Sequence, residues 1–157
     1  MDSFIAEFTS GLPTAEQFAH VVVRLVAAAL LGGIVGYERE RAGRPAGLRT
    51  HMLVSLGAAL FVIAGDEFGM DSADLSRVIQ GIATGIGFIG GGAILKLAAE
   101  REIKGLTTAA GIWMTAAVGV AAGLGRWGSA AIGVLLTWII LSILLKIEKR
   151  SIKPKKS

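Results

Sequence analysis

The residues with chemistry to offer are few in this chain, and they lie apart. There are 2 histidines, His20 and His51. Acid–base or nucleophilic catalysis needs such a ring within hydrogen-bond reach of a nucleophile or an orienting carboxylate. The spans derived below put the two histidines on opposite sides of a membrane. His51 has no second ligand at i+3 or i+4, so it reads as a polar contact rather than a metal ligand. Ser55 has no base near it in this reading. Glu38 and Glu40 alternate with Arg39 and Arg41, an arrangement for ion pairing rather than for a general acid. There is no cysteine, which excludes disulfides, iron–sulfur clusters and thiolate zinc sites. Gly85, Gly87 and Gly90 spell G-x-G-x-x-G, but dinucleotide binding requires a preceding strand and a βαβ frame, and an apolar span surrounds these glycines. No catalytic constellation is present, and the chain reads as a non-enzyme.

The elements that must position these residues are transmembrane helices. The 157 residues are 53% hydrophobic and 18% charged, with a mean hydropathy of +0.64 and 22 glycines against 3 prolines. Soluble domains are less apolar and more charged, and glycine is commoner in membrane helices. Apolar runs of about 20 residues are long enough to span a bilayer. Five are predicted, at 18–37, 48–65, 78–97, 105–124 and 128–145. The fold class is therefore an all-α membrane protein of five transmembrane helices. Residues 1–17 form an extracytoplasmic segment, 18–147 a single transmembrane domain, and 148–157 a basic cytoplasmic tail. The first segment has no Lys or Arg and so lacks the n-region of a signal peptide. Phe4, Ile5, Phe8 and Leu12 give it an amphipathic stretch suited to the membrane surface.

Charge orients the bundle, because positive residues mark the cytoplasmic side. Arg39, Arg41, Arg44 and Arg49 follow the first span. Lys96, Arg101 and Lys104 follow the third, and six Lys or Arg residues follow the fifth. The opposite side carries Asp2, Glu7, Glu16, Asp66, Glu67, Asp71 and Asp74, with only Arg77 and Arg126 in its loops. The alternation puts the N-terminus outside and the C-terminus in the cytoplasm, in a multi-pass protein of a bacterial inner membrane. The net charge of +4 is thus a topology signal. No basic domain is available for nucleic acid.

Small residues drive helix packing in lipid. Arg24, Ala28, Gly32 and Gly36 share one face of the first span. Gln80, Thr84, Gly87 and Gly91 share one face of the third, and Thr108, Gly111, Thr115 and Gly119 one face of the fourth. These three faces are expected to meet in the bundle centre, with the fifth span peripheral and Trp138 toward lipid. The glycine-rich stretch 85–95, which includes Gly90 and Gly92, has two readings. One is close helix approach. The other is a local helix break whose freed carbonyls or amides could bind an ion.

Two charge clusters follow. On the outer side, Arg24 lies inside a span, where charge is costly and signals function. It either joins Asp66 and Arg77 or snorkels outward. On the cytoplasmic side, Glu38, Arg39, Arg49, Thr50 and His51 sit at helix ends with Lys104, Thr107 and Thr108 nearby. A buried ion-pair network explains them better than a solvated loop.

Three blocks of this sequence resemble the MgtC/SapB family of bacterial membrane proteins: ERERAGRPAGLRTHMLVSLGAALF (38–61), RVIQGIATGIGFIGGGAIL (77–95) and GLTTAAGIWMTAAVGVAAGLG (105–125). They occur in order and cover most of 20–125. The resemblance implies a five-helix inner-membrane domain linked to low-magnesium adaptation and, in pathogens, to survival in phagocytes. Family members are often labelled magnesium transporters. The best-studied kind is regarded instead as a regulator, associated with restraint of ATP synthase and with small membrane peptides. Longer members add a cytoplasmic C-terminal domain. This chain ends at KIEKRSIKPKKS, as in a short form without it, and has no cysteine to carry any role of a family cysteine. The motif positions carried over are Glu38, Arg39, Gly47, Leu48, Arg49, Thr50, Gly87, Gly90, Gly105, Thr107 and Thr108.

The function expected is that of a non-enzymatic membrane regulator linked to magnesium stress, whose partners are the lipid bilayer and other membrane proteins or peptides. No span has an acidic residue at mid-depth, whereas Mg²⁺ sites use carboxylates with retained waters. The alternative is a transporter of Mg²⁺ or another ion with a site at 85–92. No cofactor is called for, and Mg²⁺ stays open as ligand or signal. Gly32/Gly36 and Gly119/Gly123 are edges that could serve a homodimer, and the sequence leaves the oligomeric state open.

Overall fold

The computed structural model describes residues 14–97 and 104–144, together with the side chains of all of these except 95–97 and 144. The N-terminal amphipathic stretch, Arg101 and the basic tail lie outside the described residues, as does the side chain of Lys96. Among the described residues every regular element is helical. Helix α1 spans Ala15–Arg41, α2 Leu48–Glu67, α3 Ser72–Leu97, α4 Leu106–Gly123 and α5 Trp127–Ile139, with a π-helical turn at Ile140–Leu144. The first four are long and apolar enough to cross a membrane, and the fifth apolar helix is shorter.

The helix boundaries follow from local chemistry. Thr14 opens α1 with a capping box: its hydroxyl accepts from the Gln17 amide and the Gln17 side chain accepts from the Thr14 amide. At the ends of α1, α2 and α4 the chain turns through Gly43, Gly69 and Gly125, each near φ +68°. The amide of each glycine bonds back to Glu40, Asp66 or Ala122. The next amide reaches Arg39, Gly65 or Ala121. This is the Schellman arrangement, in which a left-handed residue closes the helix. Only glycine adopts that conformation without a Cβ penalty. These closures run α1 about four residues beyond its apolar span and α2 two beyond, while α3 begins six residues earlier than predicted.

Helix α2 lies between α1 and α4, and α4 contacts every other helix. Half of the most apolar window of α4 is buried, against 6% of that of α3. The core is built from small residues. Ala28, Ala59 and Ala122 close the α1–α2–α4 centre. Val35, Val118, Ala130, Val134 and Leu141 fill the space toward α5. As expected, α5 is peripheral, and Trp138 is exposed.

The packing of α3 differs from expectation. The faces of α1 and α4 do converge, but on α2. The polar stripe of α3 points away, with Gln80, Thr84 and Gly87 exposed and Gly91 half-buried. Of its glycines only Gly90 is buried, where its Cα side meets Ala109 of α4. Ile79, Ile82 and Ile86 of α3 instead face Trp113, Ala116 and Val120 of α4 across an apolar cavity of about 180 Å³. Helix α3 also continues without interruption through 85–95, so of the two readings of this stretch the helix break, with its freed carbonyls, is not the one adopted.

The glycines of α1 and α4 explain the close approach to α2. A Cβ at Gly32 would come within 2.6 Å of the His51 carbonyl, and one at Gly36 within 2.8 Å of the Leu48 Cα. A Cβ at Gly119 would collide with the Ser55 carbonyl, and one at Gly123 would lie 2.8 Å from the Ala59 carbonyl. The Gly32/Gly36 and Gly119/Gly123 edges are therefore occupied within the chain rather than left free for a second copy.

Candidate functional site

At the end of the bundle that holds the C-terminus of α1 and the N-terminus of α2, polar groups are buried between helices. Arg39 is 2% exposed, and the Glu38 side chain is half-buried beside it. Arg39 Nε donates to Glu38 Oε2 at 2.6 Å, and Nη2 donates to the Leu141 carbonyl at 3.4 Å. A buried guanidinium needs such partners, since desolvating a charge without them is very costly. The contact also ties the end of α1 to the π turn after α5.

Glu40 has a role that sequence reasoning missed. Gly47 opens α2 and has no side chain to cap it. The Glu40 carboxylate reaches across the loop instead and accepts from the Leu48 amide at 2.9 Å. A carboxylate at a helix N-terminus satisfies an orphan donor and complements the dipole. Gly47 makes room for it, because a Cβ there would fall 2.8 Å from Glu40 Oε2. The signal was a side-chain-free helix start with an acid seven residues earlier.

One turn into α2, His51 is wholly buried, as is Ser55 one turn further. His51 Nδ1 lies 3.0 Å from the Gly47 carbonyl. Among the described residues, His51 Nε2 and Ser55 Oγ have no hydrogen-bond partner. Ser55, set aside for want of a neighbouring base, thus shares a helix face with an imidazole four residues away. Thr108 and Thr115 of α4 are buried in the same seam, and Thr115 donates to the Gly111 carbonyl at 2.8 Å. The other residues expected here behave differently. Arg49, Lys104 and Thr107 are exposed, and Thr50 is half-buried. The buried network at this end of the bundle therefore centres on Glu38–Arg39 and His51 rather than on Arg49 or Lys104. The physical reason is helical phase: Arg49 and Thr107 point away from the seam that His51 and Thr108 face.

At the opposite end, Arg24 donates to the Gly123 carbonyl at 3.0 Å and to Asp66 Oδ2 at 3.2 Å. The Schellman closure of α4 leaves the Gly123 carbonyl without a backbone partner, and a cation at a helix C-terminus is favoured. Gly125 gives the guanidinium room. Arg77 does not join this cluster. It pairs with Asp74 one turn earlier on α3, at 2.8 Å, because an i,i+3 partner on its own helix is nearer than another helix. Arg24, Asp66, His20, Gln17 and Glu67 line a polar cleft of about 340 Å³. Asp66 is exposed, so its pairing contributes little, and the carbonyl bond carries more. Arg24→Gln is expected to cost about 1–2 kcal/mol and Asp66→Asn less than 1 kcal/mol. Thermal melts of the detergent-purified variants measure both. Equal losses would show that Asp66, not the α4 terminus, is the main partner.

Between α2 and α3 runs an open apolar groove of about 570 Å³. Leu53, Phe61, Ile82 and Ile89 form its walls, and Gly57, Gly81 and Gly85 lie along it. A Cβ at any of these three glycines would meet nothing within 4 Å. Among the described residues, no three His, Cys, Asp or Glu side chains converge to hold a metal ion.

The sequence profile described as the MgtC family matches residues 25–150. Protein SrpB of Synechococcus elongatus is 42% identical over 137 residues, which cover 80% of this chain and 75% of that protein. "Putative magnesium transporter YhiD" of Escherichia coli K12 is 40% identical over 139 residues, covering 84% of this chain and 64% of that protein. Protein MgtC of Brucella abortus is 42% identical over 129 residues, covering 82% of this chain and 53% of that protein. The chain thus spans between about half and three-quarters of the length of these relatives. No solved structure matches.

Proposed function

The chain belongs to the MgtC family, and from that premise we propose that it is a non-enzymatic protein of the bacterial inner membrane that regulates a membrane partner through helix contacts, in the service of magnesium homeostasis. Its N-terminus lies outside and its C-terminus in the cytoplasm, as the division of Arg and Lys from Asp and Glu between alternate loops supports. The magnesium link rests on the name of the YhiD relative and on family membership.

The observation that carries the regulatory reading is the groove between α2 and α3. Helix association in lipid depends on close backbone approach at small residues. The glycines of α1 and α4 already serve that purpose inside the chain. Gly57, Gly81 and Gly85 are the ones left open along an apolar trough, and a transmembrane helix of a partner fits there. Transport is the competing reading, supported by the YhiD name. The unbroken α3 and its exposed glycine face give an ion no carbonyl cage.

Two measurements separate these readings. Gly81→Leu fills the groove without touching the core. It is expected to abolish complementation of a deletion strain in low-Mg²⁺ medium while the purified variant keeps the wild-type melting temperature within about 2 °C. Wild-type protein reconstituted in liposomes containing a Mg²⁺-sensitive dye is expected to show no flux above empty liposomes. Saturable flux that is lost in Gly87→Leu or Arg24→Ala, both still folded, would sink the regulatory reading in favour of transport.

A further inference from the structure

We infer that the hairpin joining α1 and α2 binds an anionic phospholipid, whose phosphodiester is engaged by the exposed guanidiniums of Arg41, Arg44 and Arg49. The inference requires only that α1 and α2 cross a bilayer, for which they are long and apolar enough. It depends neither on the groove nor on whether the protein regulates or transports.

In sequence the charges of this hairpin look self-cancelling, because Glu38, Arg39, Glu40 and Arg41 alternate in sign. The fold undoes the cancellation. Glu38 is taken by Arg39, which turns into the bundle. The Glu40 carboxylate is taken by the Leu48 amide. Arg41, Arg44 and Arg49 remain exposed, and among the described residues none of their side chains has an ion pair or a hydrogen bond. Three guanidiniums on one short hairpin therefore call for an anion from outside the chain.

The direction of the side chains selects that anion. Arg41 shares a face of α1 with Ile34 and Tyr37, both exposed. Arg49 shares a face of α2 with Leu53 and Leu60, also exposed. Exposed apolar side chains of a spanning helix face lipid, so each arginine stands at the head of a lipid-facing stripe. The end of a span lies at the depth of the headgroups, where a tyrosine such as Tyr37 is favoured. Arg44 lies in the turn between the two helices. An arginine in this position lays its alkyl stem along apolar surface and offers its planar fork to a phosphate. A zwitterionic headgroup carries an ammonium that offsets its own phosphate, whereas phosphatidylglycerol leaves the phosphate uncompensated. Basic segments beside spanning helices attract anionic lipid on this ground. The rival occupant is an acidic face of a soluble protein. Arg41 and Arg49 favour lipid over it, because they continue the sides of their helices rather than crown the loop.

The test uses the full chain, delipidated in detergent and titrated with phosphatidylglycerol or with phosphatidylcholine of the same acyl chains. Native mass spectrometry reads the dissociation constant of the first bound lipid. Phosphatidylglycerol is expected to bind more tightly than phosphatidylcholine. Arg41→Gln/Arg44→Gln/Arg49→Gln is expected to keep the melting temperature within about 2 °C of the wild type, since all three side chains are exposed. It is expected to weaken phosphatidylglycerol binding at least about fivefold and leave phosphatidylcholine binding unchanged. Lys153→Gln/Lys155→Gln/Lys156→Gln removes the same charge from the tail and is expected to weaken binding less, because a lysine meets phosphate as a point charge without the fork. Glycerol phosphate, which has the anion but no chains, is expected not to displace the lipid at equal concentration. Gly81→Leu, which fills the groove, is expected to leave lipid affinity unchanged. Equal affinity for the two lipids, or unchanged phosphatidylglycerol affinity in the folded triple arginine variant, would overturn the inference. An equal loss in the tail variant would do the same, since it marks diffuse charge attraction. Displacement by glycerol phosphate would replace the lipid with a soluble phosphate, and a loss in Gly81→Leu as large as in the arginine variant would move the lipid to the groove. Should the triple arginine variant fail to fold, Arg41→Gln alone decides, and unchanged affinity there overturns the site.

Discussion

Gly119→Leu is expected to prevent assembly of the bundle, whereas Gly85→Leu leaves it folded. The two positions look alike in sequence, each a glycine within an apolar run. At Gly119 a Cβ would collide with the Ser55 carbonyl and sit 2.8 Å from the Ser55 Cα. Both obstacles are backbone, so no rotamer change relieves them and α2 must move away from α4. That movement would open the Ala28–Ala59–Ala122 centre, where small side chains fit only at the present spacing. Overpacking by a few methylenes in a tight core costs about 1–3 kcal/mol. A leucine against immobile backbone is expected to exceed about 3 kcal/mol, enough to unfold a marginal domain. Gly119→Ala is the sharper variant. Helix propensity alone gives it a gain of about 1 kcal/mol, and the clash is expected to reverse that sign. Gly85→Ala keeps the gain, since nothing lies within 4 Å of its Cβ. Melting curves and size-exclusion profiles in detergent measure the contrast. A Gly119→Ala protein as stable as Gly85→Ala would mean that α2 and α4 are not packed this closely.

That contrast also marks how far the sequence could be read. Apolar runs of sufficient length are legible because a bilayer imposes the length. The small faces of α1 and α4 are legible because close approach demands them. Helix α3 carries the same signature in Gln80, Thr84, Gly87 and Gly91, yet turns it outward. A small-residue stripe states that something approaches closely but does not name the partner, and the partner of α3 need not be in the chain. The charges behave likewise. That Arg24 and Asp66 meet follows from their places at the same end of adjacent spans. That Arg77 prefers Asp74 is a local competition which sequence reading passed over in favour of a longer-range contact. Glu40 was grouped with the ion pairs, whereas its partner is the Leu48 amide, a backbone group with no residue type to flag it. Unpartnered atoms such as Ser55 Oγ are the least legible, since they are defined by what three helices fail to place beside them.

The second large effect is expected at the Glu38–Arg39 pair. Adjacent residues on a helix do not ordinarily face each other, so a 2.6 Å bond between them means both side chains bend toward one enclosed point. Arg39 is 2% exposed, and among the described residues its only other acceptor is the Leu141 carbonyl at 3.4 Å. Glu38→Gln removes the compensating charge and leaves the guanidinium stranded, which is expected to cost about 3–5 kcal/mol. Arg39→Met strands a carboxylate that is 12% exposed. The loss is expected to be smaller, about 2 kcal/mol, because that group can reach water. Arg39→Lys is not a conservative exchange, since an ammonium cannot engage Glu38 and the Leu141 carbonyl in one planar fork. The double variant Glu38→Gln/Arg39→Met removes both charges and is expected to recover most of the stability, to within about 1.5 kcal/mol of the wild type. A strong positive coupling in this double-mutant cycle is what separates a buried charge pair from two independent surface charges. Unfolding by SDS titration in mixed micelles measures it. Additive losses, or Glu38→Gln within about 1 kcal/mol of the wild type, would place the pair in solvent and leave the join between α1 and the turn after α5 to apolar contacts alone.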